Sequence, residues 1–299
     1  MNVVRTIADA RRERAQHDTI ALVPTMGALH AGHLSLIEHA RKRVSRVAVS
    51  IFVNPTQFGP REDFNKYPRP LMEDLAKCEA AGVDLVFHPT PQEMYRPDVP
   101  DIVVDLPSLT SVLEGKHRPG HFKVVCQVVA KLFNILTPDV ACFGQKDYQQ
   151  LRVITAMVDA LNWPIQVIGC PTVREHDGLA MSSRNQYLSA DERTRALSIH
   201  RGLLQARQQV LDGIRQANRL LTTMQNTLLD KGNLGRIPVN VDYVAAVDPQ
   251  TLKPVDVVTG PTLFAAAARV GATRLIDNVL VEPPAEPAPR PPVHGAPNA

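Results

Sequence analysis

The chain has 299 residues, enough for one large domain or two modest ones, each with its own core. With 44% hydrophobic and 21% charged residues it has the composition of an ordinary globular protein, and no apolar run approaches the roughly 20 residues of a membrane-spanning helix. A formal charge of +3, with acids and bases interspersed and no Lys/Arg stripe, argues against nucleic acid as a partner but leaves room for a small polyanion.

The first residues, Met1 to Ala15, are charged and hold no apolar segment of the kind that directs secretion, so a cytoplasmic location is expected. Ile20 to Pro24 reads as a buried strand, and His33 to Arg43 as a helix with Leu34, Ile37 and Ala40 on one face. Arg46 to Val53 is a second strand, Leu71 to Ala81 a helix and Val83 to His88 a third strand. His121 to Leu136 carries Val125, Val128, Val129, Leu132 and Leu136 at helical spacing. Val140 to Phe143 is a strand, Asp147 to Leu161 a helix and Ile165 to Cys170 another strand. Strands that alternate with helices imply parallel crossovers, hence an α/β fold with a Rossmann-like, doubly wound parallel sheet over residues 1–180. Such sheets take ligands beyond the carboxyl ends of their strands, which puts the segments after Val23, Val53 and Phe143 on the site side.

Beyond residue 180 the pattern changes. Ser189 and Glu192 form a capping box that opens a long helix, and two further amphipathic stretches run to about Leu229. Val239 to Val247, Thr262 to Val270 and Arg274 to Val281 look like strands. Residues 181–281 are therefore expected to make a smaller α+β domain. The last 18 residues, Glu282 to Ala299, include seven prolines and should form a disordered tail. Cys78, Cys126, Cys142 and Cys170 form no C-x-x-C pair, and buried thiols are expected rather than a disulfide or zinc site.

Two segments carry chemistry. Pro24-Thr-Met-Gly-Ala-Leu-His-Ala-Gly-His33 joins the first strand to the first helix. His30 and His33, three apart, share a face of the first helical turn, and free amides with the positive end of the helix dipole suit a phosphate there. H-x-x-H could also bind a metal, but the sequence offers no third ligand. The motif resembles that of the nucleotidyl-transferring superfamily that includes class I aminoacyl-tRNA synthetases. The second segment, Asp177-Gly-Leu-Ala-Met-Ser-Ser-Arg-Asn185, sets two hydroxyls beside a guanidinium, a compact donor cluster for a triphosphate, and resembles that superfamily's mobile lysine-serine loop.

Further segments narrow the resemblance: Ser50-Ile-Phe-Val-Asn-Pro-Thr-Gln-Phe58, Arg118 with Gly120-His-Phe122, Phe143-Gly-Gln-Lys-Asp-Tyr-Gln-Gln-Leu151, Pro171-Thr-Val-Arg-Glu175 and Arg274-Leu-Ile-Asp-Asn278. Together with the two motifs above, and in this order over about residues 3 to 281, they resemble the pantothenate synthetase family. That resemblance implies a homodimeric ligase that condenses pantoate with β-alanine. ATP first activates pantoate as pantoyl adenylate with loss of pyrophosphate; the amine then displaces AMP.

The resemblance also implies roles. Lys146 would stabilise the α-phosphate; His30, His33, Ser182, Ser183 and Arg184 would hold the other phosphates, with His33 as proton donor. ATP would lie against Met26, Gly27, Ala28, Leu29, Ala31, Gly32, Gly144, Gln145, Asp147, Val173 and Met181. Gln57 and Gln150 would bind pantoate, with Arg118 and His121 as candidate anchors nearby. Magnesium would accompany ATP, with Asp74, beside Glu73, as its candidate ligand. Position 145 is Gln where the family usually has Glu, which removes a charge beside Lys146. Two alternatives stay open: another H-x-G-H nucleotidyltransferase, which would need neither Gln57 nor Gln150, and a tRNA-charging fragment, against which the missing basic stripe argues.

Overall fold

The structure, a computed structural model, describes residues 1–60, 62–229 and 239–284. Six strands form the larger sheet: β1 (Asn2–Val4), β2 (Ala21–Thr25), β3 (Val47–Ile51), β4 (Leu85–Phe87), β5 (Val140–Gly144) and β6 (Gln166–Cys170). Their order is β1-β4-β3-β2-β5-β6, and every pairing is parallel. The central strands are buried on both faces, which is why they read as unbroken apolar runs. From β2 the chain winds outward through β3 and β4, and from β5 it winds the other way to β6. The order therefore reverses between β2 and β5, and a crevice opens there at their carboxyl ends.

Helices α1 (Ile7–Arg14), α2 (Ala31–Arg41), α3 (Leu71–Ala80), α4 (Pro91–Met94), α5 (Pro107–Thr110), α6 (Glu114–His117), α7 (His121–Leu136) and α8 (Tyr148–Ala160) accompany this sheet. α7 buries Val125, Val128, Val129, Leu132 and Leu136 as their spacing predicts, and packs them into the main core with Leu22, Phe87 and Phe143. α2 begins two residues before the expected start because His30 itself caps it. Nothing in the sequence flagged β1, three largely exposed residues at the sheet edge, or α1 behind it.

The remaining elements are α9 (Ala190–Leu211), α10 (Ala217–Leu229), β7 (Val239–Val247), β8 (Thr262–Val270) and β9 (Thr273–Val281). The expected capping box is present: Glu192 N–H donates to Ser189 Oγ at 3.3 Å and Ser189 N–H to Glu192 Oε2 at 2.9 Å. One further helix follows, not two. The antiparallel sheet β7-β8-β9 alternates its contacts along β8. Leu263 and Ala265 join the core of the large sheet, while Phe264, Ala266 and Ala268 join a second cluster with α9 and α10. This sheet is therefore apolar on both faces and sits between two cores.

All four cysteines are buried and free. Among the described residues no helix is long and apolar enough to cross a membrane. Of the expected tail, residues 285–299 lie outside the described residues.

Candidate active site

The turn after β2 is built by its own side chains. His30 caps α2: Gly32 N–H donates to His30 Nδ1 at 3.1 Å, and His30 N–H donates to His33 Nδ1 at 3.3 Å. With both Nδ1 atoms accepting, each neutral ring carries its proton on Nε2. The rings stack with centroids 4.1 Å apart, and both line a cavity of about 230 Å³ at the crevice between β2 and β5. Burial, reinforced by the Lys146 ammonium, lowers the His30 pKa to about 4; burial, with His30 and Lys146 behind it, lowers that of His33 to about 3. Both rings are thus neutral at pH 7 and offer N–H donors to the cavity.

The backbone of this turn is held from behind. Asp74 of α3, 1% exposed, accepts from Ala28 N–H at 2.8 Å and Leu29 N–H at 2.7 Å, while Lys77 Nζ donates to the Leu29 carbonyl at 2.8 Å. Gly27 N–H donates to Thr25 Oγ1. Gly27 lies at φ +78°, and a Cβ there would stand 2.9 Å from Asp74 Oδ2, so only glycine fits. The amides of residues 27, 28, 29, 30 and 32 therefore bond within the protein, and that of His33 to the His30 carbonyl. This narrows the expectation of free backbone donors: imidazole edges, not these six amides, face the cavity. It also argues against the reading of Asp74 as a metal ligand, because the carboxylate is buried, bonded to the turn's amides and part of no cluster of ligating side chains among the described residues.

Across the crevice, Lys146 leaves the short 3-10 turn Gln145–Asp147 that follows β5 and lines the same cavity; its Nζ lies 3.6 Å from Asp147 Oδ2. The serine loop closes a third side. Ser182 Oγ accepts from Arg184 N–H at 3.3 Å, and Ser183 Oγ lies 3.2 Å from the buried Tyr67 hydroxyl. Arg184 donates to both carboxylate oxygens of Asp63, at 3.0 and 2.8 Å. One residue earlier, Glu62 takes two bonds from Arg118, each 2.7 Å. Arg118 also donates to His121 Nε2 at 2.9 Å, which leaves the His121 Nδ1–H to donate to the Gln57 carbonyl at 3.3 Å. Burial, then Arg118, lowers the His121 pKa to about 4, so this ring too is neutral.

The family model for pantoate-β-alanine ligase matches residues 2–280. The chain belongs to this family. A pantothenate synthetase of Clostridium novyi is 51% identical over 262 residues, 88% of this chain and 90% of that protein. One of Acetivibrio thermocellus is 48% identical and covers 94% of this chain and 100% of its own. Among solved structures, a pantothenate synthetase of Thermus thermophilus superposes with a TM-score of 0.88 at 43% identity, over 95% of this chain and 100% of its own. A pantoate-β-alanine ligase of Francisella tularensis, complexed with β-γ ATP and β-alanine, gives a TM-score of 0.76 at 32% identity over 94% and 97%.

The cavity of this ligase gathers most of the residues singled out from sequence. Met26, His30, Gly32 and His33 line it from β2; Gly144, Lys146, Asp147 and Gln150 from β5; and Val173, Met181, Ser182, Ser183 and Arg184 from the segments after β6. Gln57 completes the wall from the segment after β3. Gly27 and Leu29 are buried behind the wall, Ala28 is half-buried there and Ala31 is exposed. Gln145 points elsewhere, its amide nitrogen lying 3.5 Å from where a Cβ on Gly169 would sit. A second cavity of about 690 Å³ meets the first at Lys146, Asp147, Ser182 and Arg184. Sequence reasoning missed Tyr67, Glu62 and Asp63. The only signal was an acidic pair and an aromatic in a stretch without periodicity, which says nothing until the fold brings the serine loop beside it.

Proposed function

We propose that this ligase joins pantoate to β-alanine through pantoyl adenylate, with ATP as the source of the adenylyl group. The observation that carries the reading is the convergence, on one cavity at the strand-order reversal, of two neutral Nε2–H imidazoles, one lysine and a serine-arginine loop. The Francisella tularensis relative, complexed with β-γ ATP and β-alanine, supports the choice of nucleotide and amine.

In the first step a pantoate carboxylate oxygen attacks the α-phosphorus; the new P–O bond forms as the bond to the β-phosphate oxygen breaks, and pyrophosphate leaves with the electron pair. Both reactants are anions, so donors aimed at the equatorial and leaving oxygens set the rate. Lys146 supplies a cation at the α-phosphate. His30 and His33 supply two hydrogen bonds without bringing charge of their own, and Ser182, Ser183 and Arg184 complete the hold on the leaving group. His33 is neutral in the free protein and, with its proton on Nε2, meets the leaving group first as a hydrogen-bond donor. The negative charge of a bound triphosphate favours its protonated form, so proton donation at this position belongs to the proposal. Gln57 and Gln150 bind pantoate. In the second step the neutral amine of β-alanine attacks the acyl carbon; the C–N bond forms as the acyl C–O bond breaks, AMP leaves with the electron pair, and the nitrogen gives up one proton to solvent to become the amide.

The residues present do not build a magnesium cage. Among the described residues no group of three or more His, Cys, Asp or Glu side chains could hold a metal ion, and the carboxylates of Asp74, Asp63 and Glu62 are engaged by protein donors. Magnesium fits as a companion of the triphosphate, whose oxygens are its usual ligands in such sites. The homodimer expected for the family is read from the mass by light scattering.

The deciding experiment measures pyrophosphate release from Mg-ATP and pantoate, with and without β-alanine. Pantoate-dependent pyrophosphate, with free AMP and pantothenate only when β-alanine is present, is the expected result. A dinucleotide-like product would instead assign the chain to another branch of the nucleotidyltransferases.

A further inference from the structure

Two buried neighbours on β9 reach from the small sheet into the crevice of the large one. Asn278, 8% exposed, donates from the two hydrogens of its side-chain amide to the carbonyls of Gln145 at 2.9 Å and Lys146 at 2.8 Å. Asp277, 5% exposed, accepts Asn278 N–H at 2.8 Å and both terminal nitrogens of Arg174, at 2.7 and 3.0 Å. Arg174 directly follows Val173, which lines the cavity. One dipeptide therefore grips the turn that carries Lys146 and the segment that forms the facing wall.

We propose that Asn278 is a positioning residue for the adenylation step, acting through Lys146, with Asp277 holding Asn278 and the Val173–Arg174 segment in register. The physical ground lies in how Lys146 is held. The ion pair formed by its ammonium is the loose one to Asp147, so the direction of a long flexible side chain depends on the turn beneath it. A single planar amide that donates to two successive carbonyls fixes that turn about both of its peptide planes. Near-attack geometry tolerates little error: a misplacement of about 1 Å costs on the order of 10²-fold in rate. The proposal rests on the reading that Lys146 acts at the transferring phosphate.

The test uses the full chain and measures kcat for pantoate-dependent pyrophosphate release, KM for ATP and the melting temperature. Asn278→Ala is expected to lower kcat by roughly tenfold or more while the ATP KM changes less than about threefold. Asn278→Ser, which keeps one hydroxyl donor in a smaller side chain, should fall between it and the parent; it also serves should Asn278→Ala fail to fold. In a Lys146→Gln background, whose slow turnover is followed with labelled ATP, Asn278→Ala should cause no further loss, because the two residues act as one unit. A lower melting temperature with unchanged kcat per folded molecule, or an equal loss in both backgrounds, would overturn the proposal. If Lys146→Gln is crippled while Asn278→Ala is silent, only the positioning role fails; full activity of Lys146→Gln would sink the reading beneath it as well.

Discussion

A histidine whose Nδ1 accepts a backbone amide can show a ligand only its Nε2–H, and His30 and His33 are both so fixed. Their ionisation follows a definite sign. Both pKa values in the folded protein lie below the ordinary 6.5, at about 4 and about 3. Between pH 6.5 and about 4 for His30, and down to about 3 for His33, the unfolded chain thus binds protons that the folded chain refuses. Their contribution to stability is complete above pH 6.5 and declines as pH falls toward about 4 for His30 and about 3 for His33. Chemical unfolding as a function of pH should show this slope, and His33→Gln should flatten it. Ring-nitrogen NMR should find both residues neutral, with the proton on Nε2, down to about pH 5. That a histidine pair stood at a helix start was legible from spacing and the preceding glycine. Its charge state was not, because burial depends on α3 and Lys146, which approach from distant segments. Gln145 makes the opposite case. Its difference from the family is plain in sequence, yet its side chain turns toward Gly169 and away from the cavity. Gln145→Glu should therefore change kcat by less than about threefold, since a charge that is not aimed at the reacting oxygens contributes little; steady-state kinetics checks this.

Among the elements, α3 is the one whose task was misread. Its acidic start resembles an exposed helix end, and Asp74 looked available to a metal; in fact the carboxylate turns inward to take two amides of the β2–α2 turn. Asp74→Asn places an N–H donor against one of those amides. It should destabilise the protein by about 2 kcal/mol or more, since hydrogen bonds to a charged acceptor contribute about 1.5–3 kcal/mol each. Denaturant unfolding measures that loss. The magnesium concentration for half-maximal activity at fixed ATP should stay the same, and a shift in it would restore the metal reading. Most element boundaries fell within a residue or two of expectation because strands buried on both faces and amphipathic helices announce themselves. The exceptions have physical causes. α2 starts early because a histidine, not one of the usual small polar residues, does the capping. β1 is too short and exposed to leave an apolar run.

Across the whole molecule, one buried junction ties the small sheet to the large one. Arg274 of β9 donates to Glu114 of α6 at 2.5 and 2.8 Å and to Asp242 of β7 at 2.7 Å, and the Tyr243 hydroxyl also donates to Glu114. Glu114 is only 6% exposed, so Arg274→Met should cost about 3–5 kcal/mol by stranding a buried carboxylate. Pairing it with Glu114→Gln should recover part of that loss in the same unfolding assay. Neither partner could be matched from sequence, because 160 residues separate them. A last consequence belongs to the neighbouring residues Glu62 and Asp63, whose carboxylates sit on Arg118 and Arg184. These cations are already neutralised before any substrate arrives. Where an incoming anion takes over either guanidinium, it must first displace a carboxylate that stays tethered beside it, so one ion pair is broken for each one made. The capture of a highly charged nucleotide at such a place becomes a barter of partners instead of a pull from afar, and it should respond only weakly to ionic strength.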